Sequence, residues 1–109
     1  MNNERFADPN LLILTSLASE PRHGYAIMDD VEALSGIRLG PGTLYGALAR
    51  LEERGLIEPV PDADLNQPSP RRRPYRLTEY GSATFREELQ RLSHLTEVAL
   101  GRLGGAAVA

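Results

Sequence analysis

The chain has 109 residues, 41% of them hydrophobic and 25% charged, with a formal net charge of −3, a composition that suits one small soluble domain with a single modest core. It holds no cysteine, which excludes a disulfide framework and a thiolate metal site. No apolar run approaches the roughly 20 residues of a membrane span, and the N-terminus lacks the basic-then-apolar layout of a secretory signal, so the expected location is the cytoplasm.

Asp8-Pro9-Asn10 is a helix-start signal, and LLILTSLA after it sets Leu11, Leu14, Leu17 and Ala18 on one face. Glu20-Pro21 ends that helix. A second helix begins near His23-Gly24, with Ile27, Met28, Val31 and Leu34 as its buried stripe and Gly36 just past its end. Ile37-Arg38-Leu39 follows as a short extended link, able to supply one residue pair of a small strand. The third helix opens on Pro41, which suits a first helical position, and stops at Gly55. LIEPVP is then a short strand that Pro59 confines to an edge, DADLNQPSP is a polar turn region, and RRRPYRL resumes an extended run. Thr78 caps a long last helix from about Glu79 to Leu103, and the GGAAVA tail is expected to be disordered.

Three short helices followed by a hairpin predict a mainly α fold with a small β-hairpin (α+β), the winged helix-turn-helix. Residues 1–78 form the DNA-binding domain in this scheme, 79–104 a dimerisation helix and 105–109 the tail.

At 100° per residue, Leu44, Leu48 and Leu51, with Ala47 close by, form the core side of the third helix. Opposite them lie Gly42, Gly46, Ala49 and Glu53, three of which have almost no side chain. A helix interior gives up about 1 kcal/mol for each Gly relative to Ala, and what a small outer face offers in return is close approach to a partner. A major groove about 12 Å wide has the right dimensions. Thr43 and Tyr45 would contact phosphates or bases, Arg50 a phosphate, and the amides of Gly42 and Thr43 a phosphate at the helix N-terminus. The same small residues would equally suit solvent or a protein partner.

Charge distribution bears on that choice. Residues 1–40 hold six acids and three arginines, whereas 71–76 reads RRRPYR without an acid, and every basic residue of the chain is Arg. Arg recognises phosphates and guanine edges bidentately, although genomic base composition also produces an all-Arg chain. Arg71, Arg72 and Arg73 would carry the wing onto the DNA backbone or into the adjacent minor groove.

In the last helix Phe85, Leu89, Leu92, Thr96, Ala99 and Leu103 are spaced 4, 3, 4, 3, 4, an a/d seam. Leu95, Val98 and Leu100 widen the apolar surface beyond what one small core needs, which predicts a homodimer through this helix. A dimer also reads two half-sites.

HGYAIMDDVEALSG, LGPGTLYGALARLEERGLIEP and RRRPYRLTEYG resemble the PadR family of bacterial transcriptional regulators, chiefly in His23-Gly24-Tyr25 and in Pro41 to Tyr45, over about residues 10–85. The single C-terminal helix resembles the smaller subgroup. The resemblance implies a dimeric winged-helix repressor on a double-stranded promoter operator, released in some members by a small-molecule effector. By position it gives recognition contacts to Thr43 and Tyr45 and wing contacts to Arg71–Arg73, with Tyr25 assigned to packing. The chain departs from the family in having Gly40 where Ser is usual, Gly46 where Pro is usual, and no Trp, the residue often used in the small subgroup to hold flat drugs.

No enzyme, metal or cofactor is expected. The two histidines, His23 and His94, have no convincing nucleophile or carboxylate partner pattern, and His23 suits a structural place at a helix start. The non-DNA alternative is a winged-helix module that binds protein.

Overall fold

The computed structural model describes residues 8–60 and 73–104. In chain order they form α1 (Pro9–Leu17), α2 (Gly24–Ser35), α3 (Pro41–Glu53), β1 (Ile57–Pro59), β2 (Tyr75–Leu77) and α4 (Glu79–Leu103). This is the winged helix-turn-helix expected. The turn region between the strands, Arg71, Arg72 and the tail lie outside the described residues.

Helix ends follow local chemistry. The Asp8 carboxylate accepts the Asn10 amide at 2.9 Å ahead of Pro9. Gly36 and Gly55 end α2 and α3 with φ of 75° and 78°, a left-handed turn that glycine adopts without steric cost. Thr78 accepts the Gly81 amide at 2.8 Å, and its own hydroxyl donates to the Gly55 carbonyl at 2.6 Å. One side chain thus starts α4 and ties it to the turn after α3. At Gly81 a β-carbon would collide with the Leu56 carbonyl, so glycine lets the first turn of α4 rest directly on backbone.

The core joins Ile13, Leu14 and Leu17 of α1 to Ile27, Met28 and Val31 of α2, Leu44, Ala47, Leu48 and Leu51 of α3, and Phe85 of α4. The α3 stripe is as expected. Three other expectations need correction. Leu34 is exposed, although it continues the apolar stripe of α2. On α1, Ile13 is fully buried while Leu11 is only partly buried and Ala18 is exposed; a helix apolar nearly all round does not reveal by periodicity which side is covered. Finally, Ile37–Leu39 joins no strand.

The wing's extra pairing comes from Arg22 instead. Arg22 and Tyr75 exchange both backbone hydrogen bonds, at 3.0 and 2.9 Å, while the Arg22 guanidinium donates to the Ser16 carbonyl and the Ser19 hydroxyl. β1 and β2 are antiparallel with Ile57 opposite Leu77, Glu58 opposite Arg76 and Pro59 opposite Tyr75. Alternation buries Tyr75 and turns Arg76 outward, where it pairs with Glu58 at 2.8 Å.

Candidate nucleic-acid interface

Helix α3 starts on Pro41 after Gly40, with no side-chain cap. Its inner stripe is sealed into the core, so the outer face is what the domain presents. Gly42, Thr43, Ala49, Arg50 and Glu53 are exposed, and Gly46 is partly covered. None of Gly40, Gly42 and Gly46 has a positive φ. A β-carbon at 40 or 42 would meet nothing within 4 Å. The domain's own geometry therefore does not require glycine there.

The structure brings Thr43, Arg50 and the bare positions Gly42 and Gly46 together on one surface, with Arg50 laid back over Gly46. Arg73 stands exposed at the foot of the wing; Arg71 and Arg72 fall outside the described residues.

The two tyrosines differ in how far each is covered. Tyr25, assigned to packing, is 68% exposed in the first turn of α2. Tyr45, assigned to contact, is partly buried against the core, and its hydroxyl oxygen is shut away from solvent. The Tyr45 ring instead covers Gly24, whose backbone is buried. Its phenol also lies within electrostatic reach of the buried Tyr75 phenol on β2, which burial foremost pushes above the ordinary tyrosine range, with Glu52 and Tyr45 adding to the rise and Arg73 opposing it. Residue pattern alone could not have revealed this contact, which joins α2 and α3 at a position without a side chain. His23 occupies the cap position of α2 but makes no side-chain capping bond.

On the far side, Phe85, the first residue of the expected seam, belongs to the chain's own core. Beyond it the seam opens. Leu89, Leu95, Leu100 and Leu103 are exposed, as are Thr96 and Ala99, with Leu92 and Val98 partly covered. Leu92 also borders an open groove of about 480 Å³ between α1 and α4, lined by Leu11, Leu14, Leu51, Leu56 and Phe85 together with Asp8, Arg54 and Glu88. The Glu88 carboxyl is held below its ordinary range by hydrogen bonds from Arg91, at 2.8 and 2.6 Å. Among the described residues no group of acids and histidines could hold a metal ion, and no helix is long and apolar enough to cross a membrane.

Residues 13–87 match the model of the transcriptional regulator PadR-like family. A PadR family transcription regulator from hypervirulent Clostridium difficile superposes with a TM-score of 0.73 at 30% identity, over 88% of this chain and 98% of that one. A PadR family regulator from Eggerthella lenta gives 0.67 at 32%, over 86% and 79%. The chain is also 44% identical, over 95% of its length, to an uncharacterized 37.1 kDa protein in transposon TN4556 of Streptomyces fradiae, and spans 27% of the length of that relative. These matched proteins of known class are transcription regulators and not enzymes. With a family match over most of its length and a winged helix of the same construction, the chain belongs to the PadR-like family of transcriptional regulators.

Proposed function

We infer that the chain is a sequence-specific DNA-binding repressor that engages a promoter operator as a homodimer in the bacterial cytoplasm. The observation that carries this is the start and outer face of α3, where Gly40 at the cap and Gly42 on the face stand in open space with no backbone need for glycine. Side chains are missing where only an external partner would meet them. A ridge that low suits the major groove, into which an α-helix fits closely. Thr43 then reaches base edges or phosphates, while Arg50 and the wing arginines Arg71, Arg72 and Arg73 supply phosphate contacts that set register.

The dimer follows from α4. Leu89, Leu95, Thr96, Ala99 and Leu103, with the partly covered Leu92, form a long strip that the described residues leave open, and the groove beside Phe85 offers a second copy matching apolar surface. Exposed strips of this kind mark interaction surfaces. Two copies would read two half-sites. Repression, and release by a small-molecule effector, are carried over from the family resemblance.

The test is enrichment of duplexes by the full chain from a random-sequence library, followed by salt titration of the enriched duplex. Log K should fall against log salt with a slope of about 0.9 per neutralised phosphate, and Arg73→Ala should flatten that slope by about one such step. No enriched duplex would instead favour a protein-binding module.

A further inference from the structure

Gly24 opens α2 with ordinary negative φ, so the turn itself does not call for glycine. Space does. A β-carbon there would stand 2.8 Å from Cζ and 2.9 Å from Cε1 of Tyr45, and nearer still to its hydroxyl. The ring cannot back away freely, because it packs against the core and its oxygen is buried. Tyr45 also sits on α3 directly between Leu44, which is fully buried, and Gly46 on the outer face. One flank of α3 is therefore seated on the first turn of α2 while the opposite flank carries Thr43 and Arg50. Close to the same junction, Tyr75 of β2 is bonded through its backbone to Arg22, two residues before Gly24. Recognition helix and supporting helix meet at the Tyr45 phenol, with Tyr75 of the wing within its electrostatic reach.

We propose that the seat of the Tyr45 ring on Gly24 sets the angle at which α3 is offered to DNA, making Tyr45 a positioning residue that acts from beneath the recognition surface. This rests on the DNA-binding function inferred above. A methyl group at residue 24 has two ways to be accommodated. It tilts α3 away from α2, or it drives the Tyr45 ring outward onto the surface that approaches DNA. Both spoil specific recognition, whereas attraction of the arginines to phosphates survives, because that part of binding carries no sequence information.

The measurement is the ratio of affinities for the duplex enriched by the wild-type chain and for a scrambled duplex, taken well below the melting temperature of each variant. Loss of stability alone does not move that ratio. Gly24→Ala should lower it at least tenfold with scrambled-duplex affinity nearly unchanged. Tyr45→Leu, which removes the ring, should also lower it, and the Gly24→Ala/Tyr45→Leu pair should regain most of the loss because the new methyl occupies the vacated space. An unchanged ratio in Gly24→Ala overturns the proposal. So does a pair no better than the worse single variant, which would trace the loss to other contacts. If Gly24→Ala does not fold, Tyr45→Leu and the pair decide the matter by the same comparison. Failure of the wild-type chain to enrich any duplex would overturn DNA binding itself, and this proposal with it.

Discussion

The guanidinium of Arg50 lies back along α3 so that Nη1 is 3.4 Å from where a β-carbon of Gly46 would stand. The absent side chain at 46 thus does two things at once. It keeps the ridge low and leaves room for a cation one turn nearer the helix start, where phosphate would be met. Gly46→Leu should gain up to about 1 kcal/mol of helix propensity, evict the guanidinium and raise the ridge. The expected outcome is a melting temperature no lower than wild type and duplex binding at least tenfold weaker in a gel shift. Equal affinity would mean that this face does not approach DNA. Gly46→Ala, whose methyl would make only an ordinary contact with Arg50, should fall between the two.

Why the third helix was legible from its residues while Tyr45 was not is a matter of range. Leu44, Leu48 and Leu51 repeat on one side, and Gly36, Gly55 and Thr78 stop or start helices through bonds a few residues long. Such signals survive in one dimension. The cover of Gly24 by Tyr45 and the pairing of Arg22 with Tyr75 join segments that only the tertiary fold brings together. Periodicity gave Tyr45 a flank but could not tell that another helix already occupied it. Leu34 fails for the same reason in reverse, since its place in the α2 stripe does not say where the core stops.

Thr78 is a junction as well as a cap. Its hydroxyl accepts from Gly81 and donates to Gly55, so Thr78→Ala removes a capping bond and leaves the Gly55 carbonyl without this donor. A cost of about 1–2 kcal/mol is expected. It should be read as a lower urea midpoint with an unchanged slope. Thr78→Ser, which keeps the oxygen, should recover most of it.

Burial raises the Tyr75 phenol above the ordinary value of 10.0. The folded chain therefore holds this proton to higher pH than the unfolded chain. Its contribution to stability is complete below about pH 10, where both states are protonated, and is lost as pH rises from there through the raised folded value. Tyr75→Phe cannot ionise, so its stability should decline less steeply on the alkaline side of pH 10 in urea titrations at stepped pH. Parallel decline in the two proteins would show that the phenol ionises over the same pH range folded and unfolded.

Leu95 offers the cleanest test of the α4 seam. Leu95 is 52% exposed in the single chain, so Leu95→Arg removes little from the core and should leave the stability of a monomer within about 0.5 kcal/mol of its starting value. In a paired α4 the same change would bury a charge against apolar neighbours, at a cost of several kcal/mol with no partner to offset it. Sedimentation should then find monomers where the wild-type chain gives dimers. Affinity for a two-half-site duplex should drop by more than affinity for a single half-site, because one protomer no longer brings the second with it. A Leu95→Arg dimer of wild-type strength would remove the distal half of α4 from the interface and leave the groove beside Phe85 as the surface to examine next.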